Sequence, residues 1–282
     1  MPVHVLTLSC PDRKGIVAAL AAALVELDAN ILANAQFSDP ATGTFCMRTR
    51  FESEVFDAEQ ISTALQPVVS ELNGELGVRR EDDNRRALLM VSRYDHCLVD
   101  LLYRRQIGEL PIDFPIVVSN HPDLRDLALR NGVEFEHLPV TAETKPAAEE
   151  RLLELVDRHR IDVVVLARYM QILSDELCTE LPGRIINIHH SFLPGFKGAK
   201  PYHQAWERGV KLIGATAHYV TADLDEGPII AQDVTEVGHR DTPEQMVVKG
   251  RDIERLVLST AVRAQAEDRI FLLANGRTVV FD

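Results

Sequence analysis

Apolar and polar residues follow two rhythms along the chain, and the change between them falls near residue 80. From Val3 to Ser9 apolar positions alternate with polar ones, which predicts a strand. Pro11-Asp12 interrupts it, with Asp12 placed to cap a helix. Ile16, Leu20, Leu24 and Leu27 then recur at helical spacing. An extended run starts at Asn30-Ile31 and reaches about Phe37. A turn at 39–43 leads into a strand in which Phe45, Met47, Thr49 and Phe51 alternate with Cys46, Arg48 and Arg50. Ile61, Leu65, Val68, Val69 and Leu72 predict a second helix, and residues 75–78 a last short strand. The order is βαββαβ, a ferredoxin-like α/β sandwich.

Residues 79–86 read Arg-Arg-Glu-Asp-Asp-Asn-Arg-Arg, without an apolar member. They predict a linker, with the break drawn at 81–86 between a domain over 1–80 and one over 87–282. A charged surface turn inside one domain is the other reading. From Ala87 onward strands and helices alternate. Strands are expected at 87–91, 114–118, 163–167, 184–189 and 211–220, with 229–234 extended after a turn at 222–228. Residues 163–167 are apolar throughout, the mark of a strand buried on both faces of a parallel sheet. Thr242-Pro243-Glu244-Gln245 predicts a helix start, with Thr as cap, Pro first and Gln third. Met246, Ile253, Leu256, Val257 and Ala264 are expected on its inner face. The second domain is therefore a Rossmann-like α/β fold with a mixed or parallel sheet flanked by helices.

Charge and composition narrow the function classes. Over 282 residues, Lys+Arg number 30 and Asp+Glu 43, a formal net charge of -13. So acidic a chain has no overall field drawing it to nucleic acid or anionic lipid. No apolar run reaches the length of a membrane span, no signal peptide is expected from the opening residues, and Cys10, Cys46, Cys97 and Cys178 form no C-x-x-C pair. Free thiols in a cytoplasmic protein are expected.

The candidate chemistry gathers at 184–190. Asn187 and His189 lie two apart on a strand, so they share a face near its C-terminal end, where open α/β sheets bind ligands. Asp225, in the turn before Gly227-Pro228, can face the same end. A histidine beside a carboxylate carries protons near neutral pH, and imidazolium and amide N–H groups both stabilise an oxyanion. No activated nucleophile accompanies them, since Ser191 lacks a nucleophile-elbow frame. Each residue also has a structural use: a strand hydrogen bond for Asn187, a satisfied rim position for His189, a turn for Asp225. His189, His190, His203 and His218 lack zinc-ligand spacing, so no metal or other cofactor is expected.

Longer motifs add a resemblance. Asn187-Ile-His-His-Ser-Phe-Leu-Pro, Gly198-Ala-Lys-Pro-Tyr-His-Gln-Ala and Asp225-Glu-Gly-Pro-Ile-Ile resemble the formyltransferase fold of 10-formyltetrahydrofolate enzymes. Cys10-Pro-Asp-Arg-Lys-Gly-Ile-Val, Ala29-Asn-Ile and Ser38-Asp-Pro-Ala-Thr-Gly resemble an ACT domain. Together, in this order, they resemble the formyltetrahydrofolate deformylase family over nearly the whole chain.

The resemblance implies hydrolysis of 10-formyltetrahydrofolate to formate and tetrahydrofolate, in one-carbon and purine metabolism. It implies catalytic roles for Asn187, His189 and Asp225, with Asp225 ordering water and favouring the charged imidazole. It places the pterin against Met170, Gln171, Ile172 and Leu173 on one side and Ala222, Asp223 and Leu224 on the other. Lys197, Lys200 and Arg168 could meet a glutamate tail. Ser92-Arg93-Tyr94-Asp95-His96 stands where ribonucleotide-accepting relatives carry a glycine-rich phosphate turn. That departure disfavours, without removing, the alternative of a formyltransferase acting on an amine such as glycinamide ribonucleotide. A non-catalytic folate sensor is a third reading. For the ACT domain the resemblance implies an amino-acid effector, glycine or methionine, at Asp12, Gly15, Asn30 and Ile31. It also implies homo-oligomers, a dimer of dimers or higher, joined through ACT domains.

Overall fold

The computed structural model describes residues 1–195 and 201–282. Lys197 and Lys200 lie outside them. The chain divides into two compact units, Met1–Asn84 with Glu267–Asp282, and Arg85–Ala266.

In the first unit β1 (Val3–Pro11), α1 (Ile16–Glu26), β2 (Asn30–Asp39), β3 (Thr44–Glu52), α2 (Ala58–Glu71) and β4 (Glu75–Arg80) follow the expected order. The sheet is antiparallel, ordered β2-β3-β1-β4. Alternation sends Leu6, Leu8, Phe45, Met47 and Phe51 to one face, where they pack with Leu20, Leu24, Ile61 and Leu65 of the helices. Asp12 does not cap α1. β1 runs on through Pro11, the helix starts later, and its cap is Gly15 at φ 95°, without a side-chain bond. The Asp12 N–H instead donates to the Gly43 carbonyl at 2.8 Å.

The charged linker is shorter than the sequence predicts. β4 reaches Arg80 and the next strand begins at Arg85, leaving 81–84 between them. Ion pairs hold the charged residues in strand: Arg79 with Asp268 and Arg85 with Asp162. The last residues depart further from expectation. Glu267–Asp282, assigned by sequence to the second domain, groups with the first unit. It forms a hairpin of β12 (Ile270–Leu272) and β13 (Thr278–Val280). Phe271 and Leu273 cover Cys46, on the sheet face opposite the helices. Arg48 donates to the Glu267 carbonyl at 2.8 Å. The hairpin thus gives the outward residues of β3 a second layer that local pattern does not reveal.

The second unit is built on a seven-stranded sheet, ordered β11-β10-β9-β8-β5-β6-β7. Its strands are β5 (Arg85–Val91), β6 (Ile112–Ser119), β7 (Glu134–His137), β8 (Val163–Leu166), β9 (Ile185–His189), β10 (Leu212–Tyr219) and β11 (Ile229–Glu236). β5 to β9 are parallel neighbours, while β10 and β11 run antiparallel. Chain order reverses between β5 and β8, the topological switch at which such sheets bind ligands. Among the described residues six helices accompany the sheet: α3 (His96–Gln106), α4 (Arg125–Arg130), α5 (Lys145–Arg158), α6 (Asp175–Glu180), α7 (Pro201–Glu207) and α8 (Pro243–Ala266). α8 opens as expected, with Thr242 and Gln245 exchanging backbone and side-chain bonds. One expected inward residue is not there: Leu256 is 42% exposed, whereas Glu254 is 1% exposed. The inner face turns toward Glu254 because that charge finds partners in the site described next.

Candidate active site

β9 delivers Asn187 and His189 side by side at its C-terminal end, as their spacing predicts. Asp225 reaches them from the turn after β10. Its φ is 57°, left-handed for a non-glycine residue. Gly227 makes this turn possible. A Cβ there would stand 1.7 Å from the Tyr219 carbonyl oxygen, so only glycine lets the turn lie against β10.

His189 Nδ1 lies 3.2 Å from Asp225 Oδ1, and both side chains are buried. Donation from Nδ1–H to the carboxylate leaves Nε2 as the working nitrogen, buried and without a hydrogen-bond partner among the described residues. Burial alone would push the Asp225 carboxyl up. The hydrogen bond from His189 outweighs it and holds the carboxyl below its usual range.

His218, in the metal consideration above but not among the candidate catalysts, completes the group. Its Nδ1 meets the Tyr219 carbonyl at 2.8 Å, so this nitrogen carries the hydrogen. Burial lowers its pKa and keeps the ring neutral. Nε2 is then an acceptor, 3.3 Å from Asn187 Nδ2. This bond fixes the Asn187 amide with its second N–H free to serve as a donor.

A cavity of about 570 Å³ opens on these groups. Asn187, His189 and Asp225 line it together with Met170, Gln171, Ile172, Leu173, Ala222 and Leu224; Asp223 is not among its lining residues. The Met170 N–H donates to Ser92 Oγ at 3.0 Å, which pins the 170–173 segment to the end of β5. Met170 and Ile172 are half or more exposed, so their apolar surface is available to a flat ligand.

A second polar group lining the cavity was not anticipated. Glu254 accepts from Tyr202 Oη at 2.6 Å and from His96 Nε2 at 2.8 Å, and Arg168 lies 3.3 Å away. Burial opposes its charge, but these partners hold the carboxyl below its usual range. Burial, then the neighbouring carboxylate, pushes the Tyr202 phenol up, so it stays a donor. A charge on the inner stripe of α8 was the available sign. His96, Cys97 and Glu254 lie close enough to share a cation, yet Arg168 already supplies one beside Glu254.

The effector residues are not brought together. Asp12 follows Pro11, which pairs with Thr44 at one end of β3. Asn30 and Ile31 pair with Glu52 and Phe51 at the other end. Eight residues of strand separate the two places, about 27 Å at 3.4 Å per residue. One amino acid cannot touch both within one copy.

A mostly parallel sheet that opens an amide, an imidazole and a carboxylate onto one cavity defines a formyl-transfer fold here. The formyl transferase family model matches residues 85–262, and the ACT domain model residues 4–70. The chain belongs to the formyltetrahydrofolate deformylase family. It is 50% identical to a formyltetrahydrofolate deformylase of Corynebacterium sp., over 98% of this chain and 97% of that one. It is 42% identical to that of Escherichia coli, at the same coverages. The crystal structure of such a deformylase from Pseudomonas syringae superposes with a TM-score of 0.97 at 46% identity, covering 100% of this chain and 95% of that one. A glycinamide ribonucleotide transformylase from Symbiobacterium toebii matches at TM-score 0.65 and 32% identity, covering 70% of this chain and 94% of that one.

Proposed function

We propose that the protein hydrolyses 10-formyltetrahydrofolate to formate and tetrahydrofolate. The observation that carries this is the convergence of Asn187, His189 and Asp225 on the cavity lined by the 170–173 segment. The pterin lies between that segment and Ala222 and Leu224, with backbone groups meeting its polar edge. His189, oriented by Asp225, takes a proton at Nε2 as water adds to the formyl carbon. The free Asn187 N–H and the new imidazolium stabilise the oxyanion. His189 then returns the proton to N10, the C–N bond breaks, and formate and tetrahydrofolate leave. No step needs a metal.

The test is incubation with 10-formyltetrahydrofolate and no acceptor, following formate. Losing one oxyanion donor costs roughly 100- to 1,000-fold in kcat, so Asn187→Ala is expected to fall by that factor. A near wild-type rate would remove its role. Turnover only when an amine such as glycinamide ribonucleotide is added would favour the transferase reading. Product tetrahydrofolate places the enzyme at the balance of the folate pool and the formyl supply for purine synthesis. The four free, buried cysteines suit a reducing cytoplasm. No helix is long and apolar enough to cross a membrane among the described residues.

The ACT unit is read as the regulatory part, with glycine or methionine as effector. β2 is an edge strand carrying exposed Ile31, Leu32 and Phe37. An unpaired, apolar edge favours pairing with a second copy. An effector touching both Asp12–Gly15 and Asn30–Ile31 would then lie between copies, which makes regulation dependent on the oligomer.

A further inference from the structure

The part of the cavity lined by Arg168, Tyr202, Arg251 and Glu254 has charge that the hydrolysis does not use. Arg168 directly follows the apolar 163–167 run, and its backbone is left-handed at φ 65°. Such strain in a non-glycine residue clusters at ligand sites. Its side chain is 9% exposed, and Nε is buried without a hydrogen bond. Although Glu254 Oε2 is only 3.3 Å away, the Nε–H is not directed at it. Glu254 already accepts from His96 and Tyr202. The guanidinium carbon of Arg168 lies 5.2 Å from the Tyr94 ring centre, and that of Arg251 5.7 Å from the same ring. Two guanidinium groups therefore share this wall with one carboxylate, inside a chain that is acidic overall.

A planar donor pre-positioned by stacking suits a carboxylate, whose two oxygens it can meet in parallel. The wall is also near the chemistry. The His190 ring lies 5.2 Å from His189 and 6.0 Å from Tyr202, so one imidazole separates the trio from the Glu254 cluster. We propose that Arg168, aided by Arg251, forms a carboxylate subsite on this wall, and that its occupant in turnover is the formate product. The assignment of formate rests on the deformylase reading; the subsite does not. The glutamate tail of the folate offers the same chemistry and is the other source.

Formate binding is measured without substrate, by the line width of ¹³C-formate titrated with the full-length protein against chloride at constant ionic strength. Arg168→Met is expected to weaken formate at least tenfold, and Arg168→Lys less, because the charge remains but the fork is lost. Arg251→Met, at an exposed position and so safe for folding, is expected to weaken it severalfold. Formate inhibition of deformylation should weaken in parallel. Unchanged formate binding in folded Arg168→Met and in Arg251→Met overturns the proposal. A raised KM for glutamylated substrate with unchanged formate binding gives the subsite to the tail and overturns its assignment to formate. A protein that binds formate yet releases none from 10-formyltetrahydrofolate fails the deformylase reading, not this one.

Discussion

At the scale of single residues, the site depends on one contact that carries no chemistry. Gly227 lies so close to the Tyr219 backbone that a methyl group would overlap the carbonyl oxygen. Gly227→Ala must therefore push the 225–228 turn off β10, and Asp225 moves with it. A displacement of about 1 Å in a positioned catalytic group can cost ~100-fold in rate. Gly227→Ala is expected to lower kcat by between 10- and 100-fold, read by formate release, with far-ultraviolet circular dichroism unchanged. Full activity would show that the turn does not place the carboxylate. The sequence alone made Asn187 and His189 legible because strand period and strand end are local. It could not show His218 holding the Asn187 amide, since β10 is set beside β9 only by the sheet. Nor could it show His96 meeting Glu254, a contact spanning 158 residues.

At the scale of elements, α8 shows two demands in competition. Gly250 sits on its buried face, and a Cβ there would come within 2.1 Å of Tyr202 Oη. Alanine would favour the helix by about 1 kcal/mol. Overpacking against a ring held by Glu254 costs typically 1–3 kcal/mol, so the clash wins. Gly250→Ala should lower the urea midpoint, and the same change in a Tyr202→Ala background should raise it. A rise in both backgrounds would mean that Tyr202 does not pack there. Elements with strong internal rhythm were readable: β8 by its apolar run, α8 by its start, and the first unit by its order. Four-residue β7, six-residue α6 and the β12–β13 hairpin were not, because none is long enough to repeat its pattern. The hairpin also draws its stability from Cys46 and Arg48 of β3, far away in sequence.

At the scale of the molecule, buried histidines set where acid weakens the fold. His190 is brought down to about 3, first by burial and then by the charge of Arg168. Burial lowers His218 in the same unit and His4 in the other, where both ring nitrogens of His4 lack hydrogen bonds among the described residues. All three are neutral when folded and take up a proton more readily once unfolded, near the ordinary value of 6.5. Their contribution is complete above that value and is lost progressively as pH falls from it toward the lowered folded value. At pH 5 the unfolded ring lies about 1.5 units past its midpoint, so His190 alone removes roughly 2 kcal/mol. Asp225 and Glu254 act in a different window. Their folded values are depressed, so the stability they lend is present above the usual carboxylate value near 4 and is lost only below it. Weakening between pH 7 and 5 therefore belongs to the histidines, one in the first compact unit and two in the second. The urea midpoint is expected to fall steadily across that interval, and His190→Asn should make the fall shallower, leaving the parts that come from His218 and His4. A midpoint constant from pH 7 to 5 would mean that these rings reach solvent or a partner when charged, and that the cavity wall at His190 yields to a proton.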